Sequence, residues 1–167
     1  MSTHNQQKRL FVTALTDTAT TDVEGVGTLR WDGESCFRWV YNDTGSATVV
    51  GEVVFHDLSD AALTITHNAI AAATADLSAM AGVCMAICAS ASYMWIQVLG
   101  FCTSALVLED TGTVTSIGDY LKGVNANVAA TYDAESPATY CRNLQALAVM
   151  TSTTAVTATM AVMVNCL

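Results

Sequence analysis

The chain has 167 residues, of which 52% are hydrophobic and 13% charged, with a formal net charge of −9 from fifteen acids and six bases. This length is that of one ordinary domain with enough chain for a hydrophobic core. Binding to nucleic acid needs clustered Lys and Arg. Here only Lys8 and Arg9 are adjacent, so the composition argues against a nucleic-acid partner.

The low charge also raises the question of a membrane. No charged residue lies between Asp76 and Glu109, and none follows Arg142. A transmembrane helix needs about 20 predominantly apolar residues, whereas Ser, Thr, Asn, Gln and Gly interrupt both stretches. We therefore expect no membrane span, and strands that are buried either on both faces or in a subunit interface. The polar start of the chain also predicts no signal peptide.

The chain begins with a polar segment, residues 1–11, which contains two bases and no acid. Such a terminus is often untethered. Its charge also suits docking on an acidic neighbour, because nine acids follow between Asp17 and Asp60. The candidate contacts to another subunit or protein are the last four residues of the segment: Lys8, Arg9, Leu10 and Phe11.

The next part of the chain, residues 13–24, is rich in Thr and Asp, which is typical of a surface loop or an edge strand. We therefore interpret residues 1–24 as an N-terminal arm and loop. Residues 25–167 are interpreted as a single β domain.

A β-hairpin is predicted around Asp32-Gly33, a strong turn signal between the short strands 28–31 and 36–41. In the second strand, aromatic residues alternate with other types, the period of a strand with two different faces. An aromatic stripe of this kind is more often core than a ligand platform, so we expect Trp39 to be buried. Further strands are predicted at 47–50, 52–55 and 63–66.

Two apolar stretches follow. The Ala-rich residues 69–75 have the propensity for one or two helical turns. Residues 82–88 are an uninterrupted apolar run of strand length, and residues 89–92 are long enough for a hairpin connection to the next strand.

The central stretch is residues 93–121, YMWIQVLGFCTSALVLEDTGTVTSIGDYL. Its β-branched and aromatic runs are bounded by Gly and Asp, which predicts three successive antiparallel strands that form a meander. We expect Trp95, Ile96 and Val98 to lie in strand and to belong, with Trp39, to the core of the fold. Trp95 in particular should be largely buried.

The C-terminal part is predicted to contain a polar loop region, 122–138, and strands at 144–149 and 155–166. Residues 156, 158, 160, 162 and 164 are apolar and would share one face of the final strand. The total of about nine to twelve strands predicts an all-β fold, an antiparallel sandwich or barrel of short strands with an extended N-terminal arm.

The search for catalytic and metal-binding patterns finds little. There is no phosphate-binding Gly-rich loop, no Gly-x-Ser-x-Gly and no His-Glu-x-x-His. The six cysteines form no Cys-x-x-Cys pair and have no His at zinc-ligand spacing, so we expect reduced, buried thiols. A Cys–His pair would need folding to bring His56 or His67 beside Cys84 or Cys88. We expect no enzyme activity, no metal and no cofactor.

Several segments together resemble the capsid decoration or cement proteins of tailed bacteriophages, small structural proteins that sit on the head. The most specific element is Tyr-x-Trp-Ile-Gln-Val-x-Gly at 93–100, followed by Ile-Gly-Asp-x-Leu at 117–121. Shorter supporting segments lie at 25–31, 37–47, 51–54, 81–83 and 144–148, so the resemblance covers about residues 25–167. The chain departs from the pattern at Arg142-Asn143, where a Gly is expected before the late strand.

This resemblance implies a virion structural protein that decorates and stabilises a bacteriophage head by binding the major capsid protein lattice. It would lie on the outer capsid surface after assembly in the host cytoplasm. The apolar content of residues 82–88 and 155–166 also predicts a homo-oligomer, and a trimer is the expected state.

Two other classes of function remain open. The first alternative is a tail or fibre module that binds a host receptor or glycan, with Trp31, Trp39 or Trp95 in a solvated groove. The second is a hydrolase with a Cys nucleophile. The lack of a long, polar, aromatic-bearing loop favours decoration over receptor binding.

Overall fold

The structure is a computed structural model that describes residues 10–56, 64–66, 80–109, 114–123, 130–132, 144–146, 150–151 and 156–166. These residues contain thirteen β-strands and no helix, so the all-β prediction is confirmed. The strands are β1 Thr18–Ala19, β2 Leu29–Asp32, β3 Ser35–Asn42, β4 Val53–His56, β5 Thr64–Thr66, β6 Met80–Cys84, β7 Ser92–Glu109, β8 Val114–Thr115, β9 Tyr120–Gly123, β10 Ala130–Tyr132, β11 Leu144–Ala146, β12 Met150–Thr151 and β13 Val156–Asn165.

Eleven of these strands form one sheet, and β8 and β12 form a separate pair. The pairing closes twice on β7. One circuit runs from β7 through β6, β4, β5 and β3 back to β7, and the other through β13, β11, β9 and β10. Because both circuits use β7, this strand is the element around which the described part of the fold is built.

The prediction of antiparallel pairing throughout is wrong at two places. Strand β5 runs parallel to β3, and β10 runs parallel to β7. Both cases follow from the number of strands in each circuit. Each circuit closes through five strands, and a strict alternation of direction around five strands must fail at one pair.

The predicted three-strand meander is also wrong. Strand β7 is one continuous strand of 18 residues that passes through Gly100 without a turn. Gly100 has a φ of +99°, and a side chain there would contact the carbonyl oxygen of Glu34 at 2.8 Å. The glycine therefore marks a left-handed backbone conformation and a close approach of two backbones, not the end of a strand. The third predicted strand is reduced to β8, which pairs with β12 and not with β7.

The other local predictions have mixed outcomes. The hairpin is confirmed, since β2 and β3 pair antiparallel around Gly33, whose φ is +59°. Strands β4, β5, β6, β11 and β13 lie within or overlap the ranges predicted for them. Residues 47–50 are loop and not strand, because Thr48 N–H donates to the carbonyl of Cys88 (2.9 Å) instead of joining the sheet. The helical turns predicted at 69–75 lie outside the described residues.

The described core has two parts on opposite faces of the β3–β7 pair. The larger cluster draws on both strand circuits and includes Ile96 and Val98 of β7. The smaller cluster is formed by Phe37, Trp39 and Trp95. Both faces of β3 and of the first half of β7 are therefore covered, which explains why their sequences are almost continuously apolar.

Candidate interaction surfaces

An N-terminal segment, residues 11–24, lies across the smaller core cluster and is here called the strap. Its strand β1 pairs antiparallel with β7. The ring of Phe11 stands edge-on to Trp95, with ring centroids 5.6 Å apart. The guanidinium carbon of Arg30 lies 5.1 Å from the Phe11 ring centroid, and one of its N–H groups donates to the carbonyl of Thr13 at 2.8 Å. Much of the predicted arm and loop thus packs on the domain of its own chain.

Polar contacts fix the strap to the two buried indoles. Trp95 Nε1–H donates to Thr13 Oγ1 at 2.8 Å, and Trp39 Nε1–H donates to Asp22 Oδ1 at 2.9 Å. The buried Glu24 carboxylate accepts hydrogen bonds from the backbone N–H and the hydroxyl of Thr13 at 2.9 and 2.7 Å. A buried indole N–H needs a partner. The strap supplies both partners, which makes it an integral part of the core.

The structure confirms the residues proposed as core, but it does not place those proposed as contacts together on one exposed surface. Lys8 and Arg9 lie outside the described residues. Leu10 is 82% exposed, whereas Phe11 packs on Trp95 of its own chain and is not available to a neighbour in this structure. The four residues proposed as core are all buried: Trp39, Trp95, Ile96 and Val98.

The candidate Cys and His residues have neighbours that suggest no common site. His56 Nε2 lies 3.4 Å from Arg38 Nη1, and burial and then the Arg38 charge lower the His56 pKa. The thiol of Cys84 lies among Glu52, Cys88 and Thr48. His67 is outside the described part of the chain. Within the described ranges, no group of three or more His, Cys, Asp or Glu side chains is placed to hold a metal ion.

The described cysteines, Cys36, Cys84, Cys88, Cys102 and Cys166, are buried, and no disulfide joins any two of them. Burial raises the pKa of Cys88 to about 11. Burial, and then the charge of Glu52, raises the pKa of Cys84 well above its usual value. Since the thiolate is the reactive form, both thiols are poor nucleophiles at neutral pH.

Raising the pH above about 9 is expected to destabilise the fold through Cys88. The thiol ionises at a pKa near 9.0 in the unfolded chain and near 11 in the folded protein. Its stabilising contribution is therefore complete below the lower value and lost as the pH rises towards the higher one, by up to about 1.4 kcal/mol per pH unit. Urea denaturation at about pH 8 and about pH 10.5 would measure this loss. The Cys88→Ala variant should lose less stability over that range, and an equal loss would contradict the assignment.

Strand β2 forms an open edge of the sheet. Trp39 N–H of β3 donates to the carbonyl of Thr28, just before β2, at 2.9 Å. In an antiparallel ladder every second residue bonds to the neighbouring strand, so the even-numbered residues of β2 are the ones that bond to β3. The main-chain groups of Leu29 and Trp31 consequently turn outward. No strand among the described residues pairs with this edge. The side chains of Leu29 and Trp31 are 41% and 58% exposed.

A shallow apolar depression of about 420 Å³, here called the groove, lies between the β2–β3 turn and the β7–β13 pair. Phe101 and Met163 are cross-strand partners on β7 and β13, and they are 54% and 40% exposed. The groove is lined by Glu34, Leu99, Gly100, Phe101, Met163, Val164 and Asn165. An apolar pair exposed side by side in a concave surface is typical of a site for protein contact.

No family model matches the sequence, and no curated protein sequence matches it. The described residues include no helix with the length and apolarity to span a membrane.

Proposed function

We propose that this protein is a virion structural protein that decorates a bacteriophage head and stabilises it by binding the major capsid lattice. The observation that carries the proposal is the groove, where Phe101 and Met163 are exposed side by side on the paired strands β7 and β13. Exposed aromatic residues and Met are the side chains enriched in protein interfaces. The resemblance at residues 93–100 and 117–121 supplies the class of partner.

Charge supports a location on the outer surface of the head. A net charge of −9 disfavours contact with the packaged DNA, since the phosphate backbone attracts clustered bases and repels acids. A decoration protein needs a stable scaffold and an apolar contact surface, and it needs no catalytic site. The doubly covered β3–β7 pair supplies such a scaffold.

The alternative, a tail or fibre module that binds a receptor or glycan, depends on tryptophans in a solvated groove. Trp39 and Trp95 are fully buried, and Trp31 is the exposed tryptophan of the three. A single exposed indole on a strand edge offers less stacking surface than a sugar-binding groove usually presents. Decoration of the head is therefore the function that we favour.

The proposal is tested by adding the purified protein to heads that lack it, taken from the phage that encodes the chain. Cryo-electron microscopy of the particles is expected to show new density on the outer head shell. Density at the tail end instead would support the alternative function, and the absence of bound protein would contradict head decoration.

The contact surface is tested by the double substitution Phe101→Ser with Met163→Ser. Because interface energy is concentrated in a few apolar anchors, we expect head binding to weaken by about tenfold or more. Ile87→Ser is the control, since Ile87 is 67% exposed and lies outside both the groove and the segments that carry the resemblance. Sedimentation of protein with heads measures both variants. If the control weakens binding as much as the double variant, the groove is not the contact surface.

A further inference from the structure

The open edge of β2 fits one kind of partner, an extended chain segment. Its outward main-chain groups at Leu29 and Trp31 are donors and acceptors that a strand can pair with. The exposed side chains of the same two residues would add apolar contact. Addition of a strand to such an edge is a common mode of peptide recognition.

The charge around this edge restricts which chain segments can pair with it. Asp32 and Glu34 are both exposed at the β2–β3 turn, next to Trp31. A second copy of β2 offers these acids no free base, because its Arg30 donates to the Thr13 carbonyl and stacks on Phe11 of its own chain. A segment that carries bases and no acid is the complementary partner.

The chain itself contains such a segment. Residues 1–9 include Lys8 and Arg9 and no acid, and they hold two of the six bases in the sequence. Leu10 and Val12 are 82% and 73% exposed on either side of Phe11, which packs on its own domain. Leu10, the residue that follows the basic segment, is therefore open to solvent.

We infer that residues 1–9 of one copy add as a strand to the β2 edge of a second copy, with Lys8 and Arg9 beside Asp32 and Glu34. The segment and the edge are different surfaces, so the contact is heterologous. Repetition of a heterologous contact gives a closed ring when the rotation closes, which is compatible with a trimer. This self-assembly goes beyond capsid binding and does not depend on it.

The test uses the full chain and two charge-reversal variants in analytical ultracentrifugation. The segment variant carries Lys8→Glu and Arg9→Glu, and the edge variant carries Asp32→Lys and Glu34→Lys. The parent is expected to self-associate at low salt and to dissociate as salt rises, because the charge pairs are screened. Each variant alone should associate about tenfold or more weakly than the parent, because attraction is replaced by repulsion.

An equimolar mixture of the two variants is the decisive sample. In it, the acidic segment of one variant faces the basic edge of the other, and the unchanged segment faces the unchanged edge. Association between unlike variants should be restored, and a ring of three would hold two matched contacts and one mismatched contact, so recovery should be partial. Asp43→Lys is the control for net charge, since Asp43 is exposed at the opposite end of β3, and it should associate like the parent.

Three results would overturn the inference. A parent that stays monomeric at every concentration and salt has no such contact. Association that neither variant weakens uses another surface, such as the groove. Circular dichroism of each variant is measured first, so that only folded variants enter the comparison. Folded variants that associate weakly and do not recover on mixing would exclude the exchange and place the segment on its own copy.

Discussion

Replacing Gly51 with alanine is expected to destabilise the fold by about 3 kcal/mol or more. Gly51 has a φ of +82°, and an added Cβ would overlap the carbonyl oxygen of Ser104. The backbone has little freedom to move away. Gly51 N–H donates to the carbonyl of Cys84 at 2.9 Å, and its carbonyl accepts from Leu106 N–H at 2.8 Å. The residue thus links β6 to β7 from the loop between β3 and β4.

The matched control is Gly45→Ala. Gly45 has a similar φ of +77°, but no atom lies within 4 Å of the position of an added Cβ. It should therefore cost only the strain of the left-handed backbone, about 1 kcal/mol. Urea denaturation of the two variants gives the comparison. Similar losses of stability would mean that backbone strain alone, and not the close approach to Ser104, makes Gly51 necessary.

Local patterns in the sequence predicted several strands, including β2, β3 and β4, but not the strand order. The turn at Gly33 and the alternation in β3 depend on neighbouring residues, so the hairpin was accessible from sequence. The continuation of β7 through Gly100 was not accessible from sequence, because a glycine can either end a strand or lie within one. The glycine is needed here because the Glu34 backbone, 66 positions away in the chain, comes close to it.

The strap illustrates a second limit. A segment rich in Thr and Asp is typical of a loop, and nothing local shows that its oxygens accept hydrogen bonds from buried indoles. Thr13 and Trp95 are 82 residues apart in sequence. One available signal was the presence of three tryptophans in a chain with few charges, since a buried indole N–H requires an acceptor.

The candidate surfaces could not be predicted either, because they too are formed by residues that are far apart in the sequence. The apolar pattern of Leu29 and Trp31 does not reveal that β2 is an edge, because edge status is set by which strand lies outermost. Gln97, in contrast, was a visible signal within an apolar run. Its amide donates to the carbonyls of Leu99 and Phe101 at 3.2 and 3.0 Å, on either side of Gly100. Gln97 and Gly100, which belong to the segment that carries the resemblance, thus shape the strand that presents the groove.

Truncation of Trp95 to alanine is expected to lower the free energy of unfolding by about 3–5 kcal/mol. The side chain is fully buried, and its ring lies 5.2 Å from the Trp39 ring and 5.6 Å from the Phe11 ring. The substitution also leaves Thr13 Oγ1 without its indole donor. Because these contacts hold the strap, limited proteolysis should cut within residues 11–24 faster in this variant than in the parent.

Trp31→Ala is the matched control, because it removes the same side chain from a position that is 58% exposed. Substitution at an exposed site away from the core should change stability by about 0.5 kcal/mol or less and leave proteolysis of the strap unchanged. Urea denaturation and proteolysis of both variants give the comparison. If Trp31→Ala costs as much as Trp95→Ala, the β2 edge is part of the core and cannot be the free edge that strand addition requires.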